Sequence, residues 1–120
     1  MQVDIYMPEE APARAVAELE QAFGLSEDDL ARAFDVNMRT VERWRKGAAT
    51  PQREARARLA VLLTLRDRLN DTFTTGDVTR EWLHRPNRYL RGLTPADALR
   101  VGRHDRVDGA LEVIDAGVYQ

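Results

Sequence analysis

Between residues 38 and 53 the chain carries Arg39, Arg43, Arg45, Lys46 and Arg53 against one acid, Glu42. An arginine can donate two parallel hydrogen bonds to guanine O6 and N7, and either basic side chain can neutralise a phosphate. Nucleic acid is therefore the partner these residue types suit. Residues 1–24 have the opposite sign, with Asp4, Glu9, Glu10, Glu18 and Glu20 against Arg14. The 120-residue chain has a net charge of −2, which argues against indiscriminate binding to polyanions.

Other chemistries lack their parts. There is no cysteine, so thiol nucleophiles, disulfides and thiolate zinc sites are excluded. His84 and His104 are isolated and lack metal-ligand spacing. Ser26 is the only serine and stands where a helix cap belongs. No glycine-rich phosphate loop is present, and Asp105 and Asp108 fall on a predicted helix surface. No catalytic residue, metal ligand or cofactor site is predicted. No apolar run of about 18 residues could span a membrane. MQVDIYMPEE lacks the basic region of a secretory signal, so a cytoplasmic protein is expected.

The basic patch needs elements to position it. Ser26 with Asp29 forms a capping box, and Leu25 with Leu30 a hydrophobic staple, at the start of a short helix. Leu30, Ala31 and Phe34 face inward. A turn at Asp35-Val36-Asn37 follows, with Asp35 expected in the left-handed region. Asn37 caps a second short helix over residues 38–46, with Val41 and Trp44 inward and Gly47 after it. Two such helices joined by a three-residue turn predict a helix-turn-helix over residues 25–47. Glu27, Asp28 and Asp29 at its start would weaken DNA binding by a monomer.

Before this motif, Val3, Ile5 and Met7 suggest a short strand or arm. Pro8 and Pro12 bracket a helix start, Val16, Leu19 and Phe23 form its stripe, and Gly24 stops it. After the motif, Thr50-Pro51 is expected to open a helix reaching about Asn70. Its Leu59, Val61, Leu62, Leu63, Leu65 and Leu69 are too many for one stripe, so it reads as a spine buried on more than one side. Residues 70–77 read as a linker.

Residues 82–120 read as three short helices. Pro86-Asn87 ends the first. Thr94, Pro95 and Asp97 open the second with a capping box and a proline at the first position, and Gly102 closes it. Val107, Ala110, Leu111 and Ile114 stripe the third, and Gly117 stops it before Val118, Tyr119 and Gln120. Trp44 and Trp82 sit on apolar faces and are expected to be core anchors.

Residues 25–47 resemble the Xre/Cro-type DNA-binding module. The last third resembles the toxin-binding domain of the Xre/MbcA/ParS antitoxins, through Trp82-Leu83, Pro86-Asn87, Leu90, Gly92, Thr94-Pro95, Asp97, Leu99, Gly102, Val107, Leu111, Ile114 and Gly117-Val118. Ala98-Leu99 departs from the paired bulky aliphatics of many members, which predicts looser local packing. The resemblance implies an all-α fold in two parts. Residues 1–70 would hold the helix-turn-helix and the spine, and residues 71–120 a small toxin-binding domain. It implies an antitoxin without enzymatic activity, whose partner is a RES-domain toxin that consumes NAD⁺. It also implies dimerisation within a toxin–antitoxin complex and repression of its own operon. Met38, Arg39 and Arg43 would face bases, with Arg45, Lys46 and Arg53 on phosphates. Gly117, Val118, Tyr119 and Gln120 would enter the toxin's active-site cleft. A rival reading is a stand-alone Xre-type regulator whose C-terminal part dimerises or senses a ligand.

Overall fold

The computed structural model describes residues 11–117, and among these there are seven α-helices, one short 3-10 turn and no strand. The expectations for Val3, Ile5, Met7 and Pro8 lie outside the described residues.

Helix α1, Ala11–Phe23, buries Val16, Leu19 and Phe23 completely, and Gly24 turns out of it at φ +66°. Helix α2, Glu27–Phe34, opens with the Ser26–Asp29 capping box. It ends at Asp35, at φ 60° and ψ 45°, whose N–H bonds back to the Ala31 and Arg32 carbonyls. A non-glycine residue there has a steric cost that aspartate bears better than most. Asn37 accepts from the Thr40 N–H and starts α3, Met38–Arg45. Trp44 of α3 is buried edge-on against Phe34 of α2, with ring centroids 5.3 Å apart. That contact locks the two short helices together.

The spine is α4, Arg53–Thr72. Its start differs from expectation. Pro51 lies before the helix and is fully buried, and Gln52 caps without a side-chain hydrogen bond. Core packing, rather than a first-turn role, thus accounts for this proline. Leu59, Leu62, Leu63, Leu65 and Leu69 are buried, while Val61 is 37% exposed. Helix α4 packs against α1 and α2. It also packs against the following helix and the last one, so it is buried on several sides as its composition requires.

The expected linker over residues 70–77 is mostly helical. Helix α4 continues to Thr72, and α5, Gly76–Leu83, begins after only Phe73, Thr74 and Thr75. Thr75 is a cap, accepting from the Val78 N–H at 3.2 Å. Phe73 packs on the half-buried Trp82 at a centroid distance of 5.3 Å. The polar run Thr74-Thr75-Gly76 is thus a helix boundary and not a tether.

Helix α5 ends before Pro86. A 3-10 turn, Arg88–Leu90, which the sequence pattern did not suggest, follows. The turn is closed by Gly92 N–H to Asn87 O at 2.8 Å and Asn87 N–H to Leu93 O at 3.0 Å. Helix α6, Pro95–Arg100, has the expected Thr94–Asp97 capping box with proline in its first turn. Helix α7, His104–Asp115, buries Val107, Ala110 and Leu111. Gly109 in α7 lies under the Tyr89 ring; a Cβ there would come within 2.8 Å of the tyrosine oxygen. The lost helix propensity is the cost of that close approach.

One buried cluster runs from Ala15 through Phe34, Trp44 and Leu62 to Leu111. Helix α2 packs on α6, and α1 packs on α5. Each fully buried leucine contributes about 1.5–3 kcal/mol of transfer free energy, so both ends of the chain depend on the same core.

Candidate functional site

Helix α3 presents its N-terminal end outward. Met38 is 49% exposed, and Arg39, Arg43, Arg45, Lys46 and Arg53 are all exposed. The buried residues Val41 and Trp44 fix the opposite face, so packing sets which side chains point away. The five cations are not equivalent. Among the described residues, Arg39, Arg43 and Arg53 have no carboxylate partner. Lys46 faces Glu42 at 3.1 Å. Arg45 is held by Glu20 of α1 and lies 3.4 Å from Glu27 of α2. Arg45 therefore clamps three helices together. A hollow of about 400 Å³ opens beside α3, lined in part by Thr40, Arg43, Gln52 and Arg58.

Each of the three acids at the start of α2 faces an arginine: Glu27 faces Arg45, Asp28 faces Arg32 at 3.4 Å, and Asp29 faces Arg100 at 3.0 Å. Their charge is thereby compensated within the fold. Burial alone would raise the Asp29 carboxyl, but the Ser26 amide and the Arg100 guanidinium outweigh it and hold it below the usual range. The Thr94 amide, followed by the Thr94 side chain, holds Asp97 low, with Arg100 adding to the effect against a modest burial penalty. Both are capping-box carboxylates, which explains why the charged form is favoured.

At the other end of the chain, Arg68 of α4 reaches Asp108 and Asp115 of α7, each at 3.2 Å, and Thr72 donates to Asp115 at 3.3 Å. These bonds fasten the end of α7 to the spine. Gly117 follows at φ +74°, a conformation that favours glycine. Val118, Tyr119 and Gln120, expected to enter a partner's cleft, lie outside the described residues. Helices α2–α3 and the end of α7 are thus separate surfaces on one core.

Several residues were not singled out by the pattern. His84 donates from Nε2 to the Phe23 carbonyl at 2.9 Å, tying α5 to α1. Arg100 stands three residues after Asp97, a spacing that favours a local pair, but nothing local marks its second partner, Asp29. Ala98, the small residue at a position where many family members carry a bulky aliphatic, lines a hollow of about 460 Å³ with Leu90 and Leu93. Among the described residues no cluster could hold a metal ion, and no helix is long and apolar enough to cross a membrane.

The C-terminal toxin-binding domain of the antitoxins Xre, MbcA and ParS matches residues 68–117. The mycobacterial cidal antitoxin MbcA of Mycobacterium tuberculosis is 31% identical over 99 residues, covering 82% of this chain and 87% of that protein. A probable mycobacterial cidal antitoxin of the same organism is 36% identical over 107 residues, covering 89% and 90%. A chain in the crystal structure of the M. tuberculosis MbcT–MbcA toxin–antitoxin complex superposes with a TM-score of 0.65 at 30% identity. That likeness covers 90% of this chain and 96% of the other.

Proposed function

This chain belongs to the Xre/MbcA/ParS antitoxin family and is an antitoxin; we propose that it acts through two surfaces, one for a toxin and one for DNA. The toxin is a RES-domain enzyme that consumes NAD⁺. The observation that carries the reading is the likeness to a chain of a toxin–antitoxin complex over 90% of this chain. Residues 71–120 serve as the toxin-binding part and residues 1–70 as the DNA-binding part, sharing α4.

Inhibition works by occupation of the toxin's active-site cleft. The Arg68 and Thr72 bonds to Asp115 hold the end of α7. Gly117 then allows a sharp change of direction. Val118 and Tyr119 bury apolar surface in the cleft, while the tyrosine hydroxyl and the Gln120 amide take the places of polar substrate groups. Deleting residues 118–120 is expected to spare folding and operator binding and to reduce inhibition steeply. The measurement is NAD⁺ consumption by the toxin mixed with the truncated chain, alongside a binding assay. Full inhibition by a truncated chain that is still bound would sink this mechanism.

At the operator, α2 and α3 act as a helix-turn-helix, with α3 in the major groove. Met38, Arg39 and Arg43 face bases. Arg53 and Lys46 contact phosphates, and Arg45 can join them only by releasing Glu20 and Glu27. A dimer within the toxin–antitoxin complex supplies two half-sites, so the cytoplasmic complex represses its own operon.

A further inference from the structure

Arg100 joins two helix N-termini by one side chain. In the capping box of α2, Asp29 accepts the Ser26 N–H through Oδ2. In the capping box of α6, Asp97 accepts the Thr94 N–H through Oδ2. Each carboxylate is left with its Oδ1. The Arg100 guanidinium meets both: Nη1 donates to Asp97 at 2.9 Å, and Nε is ion-paired with Asp29 at 3.0 Å. A planar fork with separate donors fits two carboxylates in this way, and an ammonium group does not hold them in the same fixed geometry. Arg100 is partly buried and Asp29 is only 18% exposed, so solvent screens the inner bond less than an open surface pair.

The consequence follows the packing. Helix α2 lies between α6 and α3. Asp29 fastens its N-terminal end to Arg100. Near its other end, the backbone carbonyl of Ala33 lies against Gly102, where a Cβ would stand 3.8 Å away. Phe34 then carries the position of α2 to α3 through Trp44. The residues that hold α3 at its reading angle therefore include one on α6, within the segment matched by the toxin-binding family.

We propose that Arg100 is a positioning residue for operator binding. It touches no DNA; it sets the orientation of α2 and hence the angle at which Arg39 and Arg43 are offered. This rests on the operator reading given above. It also goes beyond it, because it makes the toxin-binding part a component of the DNA-binding unit.

The test uses the full chain and its operator at fixed salt, below the unfolding temperature of every variant. Arg100→Ala is expected to weaken operator binding about tenfold, inside the usual range for coupling between sites. Arg100→Lys should restore little of the loss. Asp29→Asn should match Arg100→Ala, and the double variant should be no weaker than either alone. In a Trp82→Phe background, Trp44 fluorescence should shift on adding Arg100→Ala without unfolding, which a purely general loss of stability would not produce. Arg68→Ala, which removes another arginine bridge between two helices, α4 and α7, without touching α2 or Arg100, should keep operator affinity. Wild-type affinity in Arg100→Ala, while Arg39→Ala loses binding, would overturn the positioning role alone. Equal loss in Arg68→Ala would also overturn it. Absence of operator binding by the unaltered chain would instead remove the operator reading itself.

Discussion

Arginine does different work on the outward face of α3 and where α4 and α6 meet their neighbouring helices. Among the described residues, Arg39 and Arg43 on α3 face no carboxylate. Arg68, Arg100 and Arg103 each face at least one, and Arg68 and Arg100 bridge separate helices. The difference is one of surroundings. Arg68 and Arg100 lie where two helices bring acids into fixed geometry, so ordering the side chain is repaid by charge-assisted bonds. Among the described residues the outward face of α3 has no such neighbour, and the guanidinium groups of Arg39 and Arg43 remain exposed. Arg45 shows that a position on α3 does not decide the matter: with acids of α1 and α2 beside it, it becomes a fastener.

The most severe way to erase the contrast is to damage what both regions share. Leu62 and Leu63 are each at most 5% exposed. Leu62→Ala or Leu63→Ala is expected to cost about 2–5 kcal/mol through lost burial and the cavity left behind. That is a large share of the stability of a small protein. Denaturant unfolding should register the loss, and operator binding and toxin inhibition should fail together. Loss of only one activity with the fold intact would show that α4 serves a single region.

A smaller change should separate the regions. Arg39→Ala and Arg43→Ala are each expected to cost about 1–3 kcal/mol at the operator and to relax base preference, as for lost bidentate contacts. Unfolding stability should hardly move, since no internal ion pair is broken. Inhibition of the toxin should be unchanged. A gel-shift or anisotropy titration at fixed salt checks the first point, and an unaltered operator affinity for either variant would remove its assignment as a base reader.

What could be read from the chain alone was local. Ser26 with Asp29, Asn37, and Thr94 with Pro95 and Asp97 each specify a helix start within four residues, and each is found in that place. The inward stripes of α1 and of α7 as far as Leu111 follow from spacing in the same way, while Ile114, the last of the α7 stripe, is only half-buried. Sequence and structure part where tertiary packing overrides local signals. Thr74-Thr75-Gly76 has linker composition, yet Phe73 on Trp82 holds the flanking helices close and turns the run into a cap. Thr50-Pro51 has the local pattern of a helix start, but Pro51 is buried in the core ahead of α4. Val61 belongs by composition to the apolar residues of the spine, yet it is 37% exposed. At the candidate DNA surface the sequence identified the cations but could not say which were engaged. That requires the partners of Arg45, which come from residues 20 and 27 on two other helices.

The mildest test separates the paired from the unpaired charges by pH. The Asp29 and Asp97 carboxyls are held below their ordinary value in the folded chain. A carboxyl with a lowered folded value favours folding when ionised. Its contribution is complete above the unfolded value, about 3.9, and is lost as the pH falls through the lower folded values. Stability should therefore stay level from neutral pH to about pH 5 and decline below about pH 4. Asp105, lowered to about 2 by Arg103, shifts in the same direction, but the pair is open to solvent and should add little. Urea titrations of the unaltered chain and of Asp29→Asn at a series of pH values isolate the inner pair. The two should differ most near neutrality and converge on acidification, because protonation removes from Asp29 the charge that asparagine lacks throughout. Arg39→Ala should follow the unaltered chain at every pH, having no paired carboxylate to release. A gap between the unaltered chain and Asp29→Asn that widened toward low pH would mean that Asp29 is stabilised as the neutral acid, contrary to its bonds with Ser26 and Arg100.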